Sequence, residues 1–489
     1  MKKKLLLIFA SALSIAACQK PDTPTDGPAP APILVSSDPA DGESGLAGDA
    51  LTMTLVFDVN VKCTSSAASA ITAGDAVVDK VTAYDKDVTI RLSSLVEGSA
   101  YTVIVPAGTI SGFNNNPVGE IRISFSMKEK DPDPVHYTLS PVADLCTPSA
   151  SRQAKNVYRF LLEQSGKKTL SGAQASMPNT TDFSDFIGSQ IGSYPALAGF
   201  DFIFLQYSPT PDNYSWVQNY NDISAATSHW NNNGLVSYMW HWNVPDSEAA
   251  WKKGLDNYDF SGYNFYTDRT TFDINAALTP GTWQNDFIMK DIEEAAGYLK
   301  LLRDAGIPVI WRPLHEAAGN YDKYGSNGAW FWWGKGGAEA CKKLWRLLYE
   351  QFVTVYGLDN LIWVWTVDAV EGCEDQYDDW YPGDDVVDIV GVDIYENNTD
   401  AKTRQFQALV DVTKGRKLVT ISECGNIPSP DACLADGNAW SWFMVWCTTD
   451  KDGNLALGND DWTLNTKSWW TNVMKSGNVI NREDMPNLK

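Results

Sequence analysis

The sequence predicts an α/β protein: a (β/α)8 barrel over residues 147–489, preceded by a small all-β sandwich over residues 33–128. Three observations lead there. Eight short apolar stretches recur through the larger segment, with helical periodicity between several of them, as a parallel barrel requires. The segment 33–128 is rich in β-branched residues and holds no Trp, whereas all 20 Trp of the chain lie at or after Trp216. Two of the apolar stretches run into a glutamate, Glu316 and Glu423, and the C-terminal ends of barrel strands are where such folds carry their chemistry.

The chain opens Met1-Lys2-Lys3-Lys4, followed by an apolar run from Leu5 to Ala17 that is too short to stay as a membrane-spanning helix. The run ends Ile15-Ala16-Ala17-Cys18, and small residues before a cysteine resemble the lipobox of bacterial lipoproteins. That resemblance implies a signal peptide over residues 1–17 and a lipid on Cys18. Gln19-Lys20-Pro21-Asp22 looks like the export tag of lipoproteins held at the cell surface, on the outer membrane of a Gram-negative bacterium. Residues 18–32 are Pro-rich and polar, the composition of an extended tether. No other segment is long and apolar enough to cross a membrane.

With 38 basic and 61 acidic residues, the chain is unsuited to nucleic acid or to anionic lipid. A neutral polymer fits that charge, and a monomeric body is expected. Of the eight cysteines, Cys424 and Cys433 are close enough in sequence for a local disulfide, which the sequence leaves open. Four histidines and no ligand-like cysteine spacing argue against a structural metal.

Within 33–128, stretches such as Leu51-Thr52-Met53-Thr54-Leu55-Val56-Phe57 and Tyr101-Thr102-Val103-Ile104-Val105 alternate as half-buried strands do. Turn signals at Asp41-Gly42 and Asn114-Asn115-Asn116-Pro117 separate them. Ser37-Asp38-Pro39-Ala40-Asp41-Gly42 and the later Ser124-Phe125-Ser126 resemble bacterial Ig-like domains found beside surface enzymes. With no catalytic constellation in this segment, a structural or spacer role is expected, with carbohydrate binding as the alternative. The absence of Trp weighs against binding, because aromatic platforms are what such modules usually offer.

A linker, 129–146, leads into the barrel segment. Strands are expected near 169–171, 195–202, 235–242, 308–315, 361–365, 387–394, 418–422 and 441–447. Between Trp283 and Ala305, Phe287, Ile288, Ile292, Ala295, Leu299 and Leu302 recur near a 3.6 period, predicting a helix that stops at Gly306. Ala338 to Tyr349 predicts another.

By this count Glu316 ends the fourth strand and Glu423 the seventh. Two carboxyl groups facing each other across a barrel mouth are what cleavage of a glycosidic bond needs: one to protonate the leaving oxygen, one to attack the anomeric carbon. Six strings then make a resemblance specific: Ser171-Gly172-Ala173-Gln174, Tyr238-Met239-Trp240-His241-Trp242, Trp311-Arg312-Pro313-Leu314-His315-Glu316, Trp330-Phe331-Trp332-Trp333-Gly334, Val392-Asp393-Ile394-Tyr395 and Ser422-Glu423-Cys424-Gly425-Asn426. Over roughly residues 150–480 the chain resembles glycoside hydrolase family 26, best known for endo-β-1,4-mannanases.

The resemblance implies a retaining, double-displacement hydrolase of mannan, glucomannan or galactomannan that needs no cofactor. Glu316 would be the acid/base and Glu423 the nucleophile. Tyr395 and Arg312 would hold the nucleophile, His241 and His315 would line the subsite of the attacked sugar, and Trp446 would lie beneath that sugar. Trp330 would stack on the leaving-group side. Two alternatives stay open: the same chemistry on mixed-linkage β-glucan or β-1,3-xylan, and a non-catalytic surface glycan-binding lipoprotein. The chain departs from the family pattern in the insertion from Asn320 to Ala329, which offers Tyr321 and Tyr324 as added substrate contacts.

Overall fold

A computed structural model describes residues 30–129, 135–207, 219–319, 321, 325, 328–370 and 374–489. The expected signal peptide, Cys18 and most of the tether lie outside these residues, as does Tyr324. The chain divides into two compact units, one ending at Pro134 and the other beginning at Val135.

Among the described residues, nine strands build the first unit: β1 (Leu34–Asp38), β2 (Glu43–Leu46), β3 (Ala50–Phe57), β4 (Val61–Cys63), β5 (Val77–Tyr84), β6 (Asp87–Ser93), β7 (Ala100–Val105), β8 (Ile110–Gly112) and β9 (Ile121–Met127). One sheet has the order β1-β3-β6-β5, another β2-β9-β7, and β4 pairs with β8. Successive side chains of a strand point to opposite faces. Met53, Leu55 and Phe57 of β3 therefore share one inner face, and they meet Val88, Ile90 and Leu92 of β6 and Val103, Val105, Ile123 and Phe125 of β7 and β9 in a single buried cluster.

The second unit is a closed parallel barrel. Its strands are β10 (Thr169–Gln174), β11 (Leu197–Asp201), β12 (Leu235–Met239), β15 (Val309–Arg312), β16 (Leu361–Asp368), β17 (Ile389–Ile394), β18 (Leu418–Cys424) and β19 (Trp440–Val445). They pair in sequence order, and β10 closes the ring by pairing with both β19 and β11. Between β12 and β15 lies a short hairpin, β13 (Val244–Pro245) with β14 (Tyr263–Asn264); after β19 come β20 (Thr448–Thr449), β21 (Leu455–Ala456) and β22 (Val479–Ile480), the last adding to β10. All eight barrel strands are buried along their full length, as strands covered on both faces must be.

Each strand falls where the apolar pattern predicts it, with two differences that matter. The fourth stops at Arg312 rather than His315, because Pro313 has no N–H to give the ladder and Leu314 and Glu316 adopt left-handed φ of 51° and 50°. The seventh runs on to Cys424, so Glu423 sits inside the strand. Cys424 and Cys433, the candidate disulfide, are both free thiols.

The long helix Trp283–Asp304 starts at a Thr282 cap, whose side chain accepts from the Asn285 N–H, and buries the apolar stripe read from the sequence. The same face carries Asp291, which accepts from Trp242 Nε1 and Gln206 Nε2, each at 2.9 Å. Burial, with Glu294 nearby, pushes its carboxyl up to about 8. An acid raised in the folded state costs stability as pH climbs from its unfolded value, about 3.9, to its folded one. Asp291→Asn is expected to gain thermal stability over the parent across pH 4 to 8, the gap widening with pH. A pH-independent gap would contradict this.

Candidate active site

Three strands, β15, β17 and β18, assemble a buried charge cluster at the barrel mouth. Asp393 of β17 stands beside Glu423 of β18, the two paired across the ladder just after a register shift that leaves Ser422 over. An extra residue of this kind re-aims the side chains that follow it. Arg312, the last residue of β15, reaches both carboxylates: its Nη1 donates to Asp393 Oδ2 at 2.9 Å and its Nη2 donates to Glu423 Oε1. The three side chains are nearly water-free, at 2%, 0% and 5% exposure for Arg312, Asp393 and Glu423. Burial works against the guanidinium charge, yet Asp393 and Glu423 outweigh it and hold Arg312 above its ordinary value. Burial pushes the Asp393 carboxyl well above the usual range, with Arg312 pulling it back.

The second oxygen of Glu423 accepts from the Tyr395 hydroxyl at 2.5 Å. Tyr395 lies one residue past β17, so its ring stays exposed at the rim while the hydroxyl points inward. Glu423 thus accepts one charge-assisted and one phenolic hydrogen bond.

Glu316 meets a different environment. Its left-handed backbone turns the carboxyl over the barrel mouth, and its N–H donates to the Thr366 carbonyl at 3.1 Å. One carboxylate oxygen each from Glu316, Asp393 and Glu423 lie within 4.8 Å of one another. Burial holds the Glu316 carboxyl well above its ordinary value, and the charges of Asp393, Glu423 and Asp368 push the same way against Arg312. Such a trio of oxygens could take a cation, but Arg312 already supplies positive charge to two of them.

The two predicted histidines touch each other, with His315 Nε2 and His241 Nε2 3.3 Å apart. His241 Nδ1 faces Asp201 Oδ2 at 2.6 Å. Burial, with Arg312 beside it, holds His315 well below its ordinary value, so it is neutral. Trp446 stands edge-on to His241 at 6.0 Å between centroids, and Phe331 packs against both histidines.

Trp330 lies at the rim, 40% exposed. Its carbonyl accepts from the Thr267 N–H at 2.8 Å, and its indole crosses Gly319 so closely that a Cβ there would sit 2.1 Å from the ring. Trp332 and Trp333 are fully buried and serve packing, each tied by its indole N–H to a backbone carbonyl, of Trp242 and of His315. Tyr321 of the insertion is half-buried: its ring meets buried Trp380 edge-on at 5.3 Å, and its hydroxyl lies against Gly337.

Sequence reasoning passed over three residues of this cluster. Asp393 was legible as a charge inside the apolar strand that ends just before Tyr395. Asp201 likewise closes an apolar strand, β11. Phe331 carried no signal beyond its place in an aromatic string.

A closed parallel barrel whose fourth and seventh strands bring two carboxyl groups together over a buried arginine, under an aromatic rim, is the architecture of a glycoside hydrolase. The chain belongs to glycosyl hydrolase family 26, whose family model matches residues 146–474. The bacterial Ig-like domain model matches residues 29–127. A mannan endo-1,4-beta-mannosidase from Thermothelomyces thermophilus is 35% identical over 345 residues, 69% of this chain and 62% of that protein. Mannan endo-1,4-beta-mannosidase A of Piromyces sp is also 35% identical, and there the match spans 46% of the relative's length.

Among solved structures, the family 26 domain of an endo-beta-mannanase/endo-beta-glucanase from Prevotella bryantii is 34% identical with a TM-score of 0.61, covering 70% of this chain and 99% of that one. A beta-mannanase from a symbiotic protist of the termite Reticulitermes speratus, complexed with gluco-manno-oligosaccharide, is 33% identical with a TM-score of 0.57, covering 72% and 100%.

Proposed function

We propose that this chain cleaves β-1,4-mannosidic bonds in mannan, glucomannan or galactomannan by double displacement, with retention at the anomeric carbon. The observation that carries the mechanism is the separation of the two carboxyl groups. Oxygens of Glu316 and Glu423 within 4.8 Å leave no room for the water that an inverting enzyme places between them. Glu423, held between Arg312 and Tyr395, attacks the anomeric carbon while Glu316, protonated, gives its proton to the departing glycosidic oxygen. Glu316 then takes a proton from water, which releases the covalent glycosyl-enzyme. The substrate class is supported by the relatives named above. Trp446 and Trp330 offer flat apolar faces to the C–H patches of sugar rings.

The test is product analysis of the purified protein on linear mannan, galactomannan, glucomannan, mixed-linkage glucan and β-1,3-xylan. Manno-oligosaccharides of mixed length support the proposal. Products only from glucan or xylan would overturn the substrate, and binding without products would overturn catalysis.

Glu316→Ala should lower kcat on polysaccharide by about 10³-fold, within the usual span for a lost general acid. The parent enzyme needs Glu316 protonated. Its activity should hold below the raised Glu316 pKa and fall as pH climbs through it, so the alkaline limb lies above the ordinary carboxylate range. Disappearance of that limb in Glu316→Ala, with a dinitrophenyl glycoside as substrate, checks the assignment.

The cell-surface position is part of the same proposal. Cys18 would carry the lipid, and the Pro-rich tether would hold a monomeric body away from the membrane. Cys18→Ala should abolish incorporation of labelled fatty acid and move the protein from the membrane to the soluble fraction. Membrane retention by the variant would refute the anchor.

A further inference from the structure

Glu316 is held by a backbone that needs holding. Leu314 and Glu316 both sit in the left-handed region, at φ 51° and 50°, flanking His315. Non-glycine residues there persist only where their surroundings over-determine them. Three ties do so. The Glu316 N–H donates to Thr366, Trp333 Nε1 donates to the His315 carbonyl at 2.9 Å, and the His315 ring meets His241.

The third tie depends on which nitrogen carries a proton. A contact between two ring nitrogens 3.3 Å apart holds only if one donates and the other accepts. Asp201 decides this. Its Oδ2 lies 2.6 Å from His241 Nδ1, and its Oδ1 accepts from the His241 backbone N–H at 3.0 Å. Facing a buried carboxylate, Nδ1 of His241 bears a proton, and in the neutral ring that leaves Nε2 to accept from His315 Nε2. His315 Nδ1, buried and without a partner among the described residues, is then a bare lone pair rather than an orphaned N–H, the less costly alternative. Asp201 is itself fixed at the end of β11, where the Tyr220 hydroxyl donates to its carbonyl at 2.5 Å and its own N–H donates to the Pro178 carbonyl.

We infer that Asp201 is a positioning residue for the reaction: through the chain Asp201–His241–His315 it sets the place of the Glu316 carboxyl on its left-handed turn. It touches neither substrate nor reacting atoms. The inference rests on Glu316 being the general acid, and its signature is a dependence on the leaving group. Asparagine at this position keeps one acceptor oxygen where two are used, so one of the two His241 donors loses its partner.

The experiment compares the full-length parent and Asp201→Asn on mannan and on a dinitrophenyl manno-oligosaccharide, whose leaving group departs without protonation. On mannan, kcat/KM is expected to fall about 10- to 100-fold, the scale of a small misplacement of a reacting group; on the activated glycoside it should fall about threefold or less. Equal losses on both substrates, or no loss on mannan, would overturn the inference. A parent enzyme inactive on both would instead overturn the assignment of Glu316. A second measurement does not depend on the variant folding. The chain has four histidines, so nitrogen NMR of the histidine-labelled parent can read each tautomer. A proton on His241 Nδ1 with Nε2 bare supports the chain; the reverse tautomer refutes it.

Discussion

Glu423→Ala is expected to abolish turnover, lowering kcat by about 10⁴-fold or more, because it removes the attacking atom rather than a group that assists attack. The fold should survive. The substitution takes away a side chain that Arg312 shares with Asp393, and the Arg312–Asp393 bond at 2.9 Å remains to keep each charge paired. It also removes one of three crowded carboxylates, relieving repulsion on Glu316 and Asp393. The space vacated lies over the anomeric carbon, on the face opposite the leaving group. A small external nucleophile such as azide can enter there, and with an activated β-glycoside it should restore turnover and give the glycosyl azide of inverted configuration. An unchanged melting profile with this rescue would establish Glu423 as the nucleophile. Near-normal activity on mannan would refute it, and a product of retained configuration would exchange the two glutamates' roles.

Most of the barrel was legible because its signal is local. Eight buried strands read as apolar runs, and the helix Trp283–Asp304 reads by its 3.6-residue stripe, since each element must hide its own apolar surface. What escaped was set by tertiary contact. Nothing local states that Leu314 and Glu316 turn left-handed; Pro313 signals only that the ladder ends. The extension of β18 to Glu423 follows from its pairing with β17, including the register shift that brings Asp393 alongside.

The site divides the same way. Glu316, Glu423, Arg312, His315 and Tyr395 announce themselves as charged or polar groups at the ends of apolar strands. Asp201 carries the same mark, but its partner His241 is 40 residues away, and only the β11–β12 pairing brings them together. The packing of Tyr321 is tertiary in the same way: nothing local states that a ring in the insertion meets Trp380.

Arg312→Met should be the most destabilising substitution at the site and should lower kcat by about 10³-fold or more. The side chain is 2% exposed and neutralises two carboxylates that are 0% and 5% exposed. Removing one member of a buried ionic group costs about 3–5 kcal/mol, since the partners are left charged without compensation. The carboxylates have one escape, which is to bind protons. With Glu316, Asp393 and Glu423 oxygens within 4.8 Å and no guanidinium, full ionisation of all three is prohibitive, and a proton shared among them leaves Glu423 a poor nucleophile. The folded variant therefore holds protons that its unfolded chain would release, so its stability falls as pH rises above the unfolded carboxylate range near 4. The melting-temperature difference between parent and variant should be small at pH 4 to 5 and grow towards pH 8. Arg312→Lys separates charge from geometry: an ammonium restores the positive charge but not the fixed fork that meets both carboxylates at once. It should recover most of the stability at neutral pH and little of the activity. A deficit independent of pH in Arg312→Met would mean that Arg312 acts by packing alone. Recovery of activity by lysine would mean that the charge, and not the fork that holds Glu423 and Asp393 together, is what the nucleophile needs.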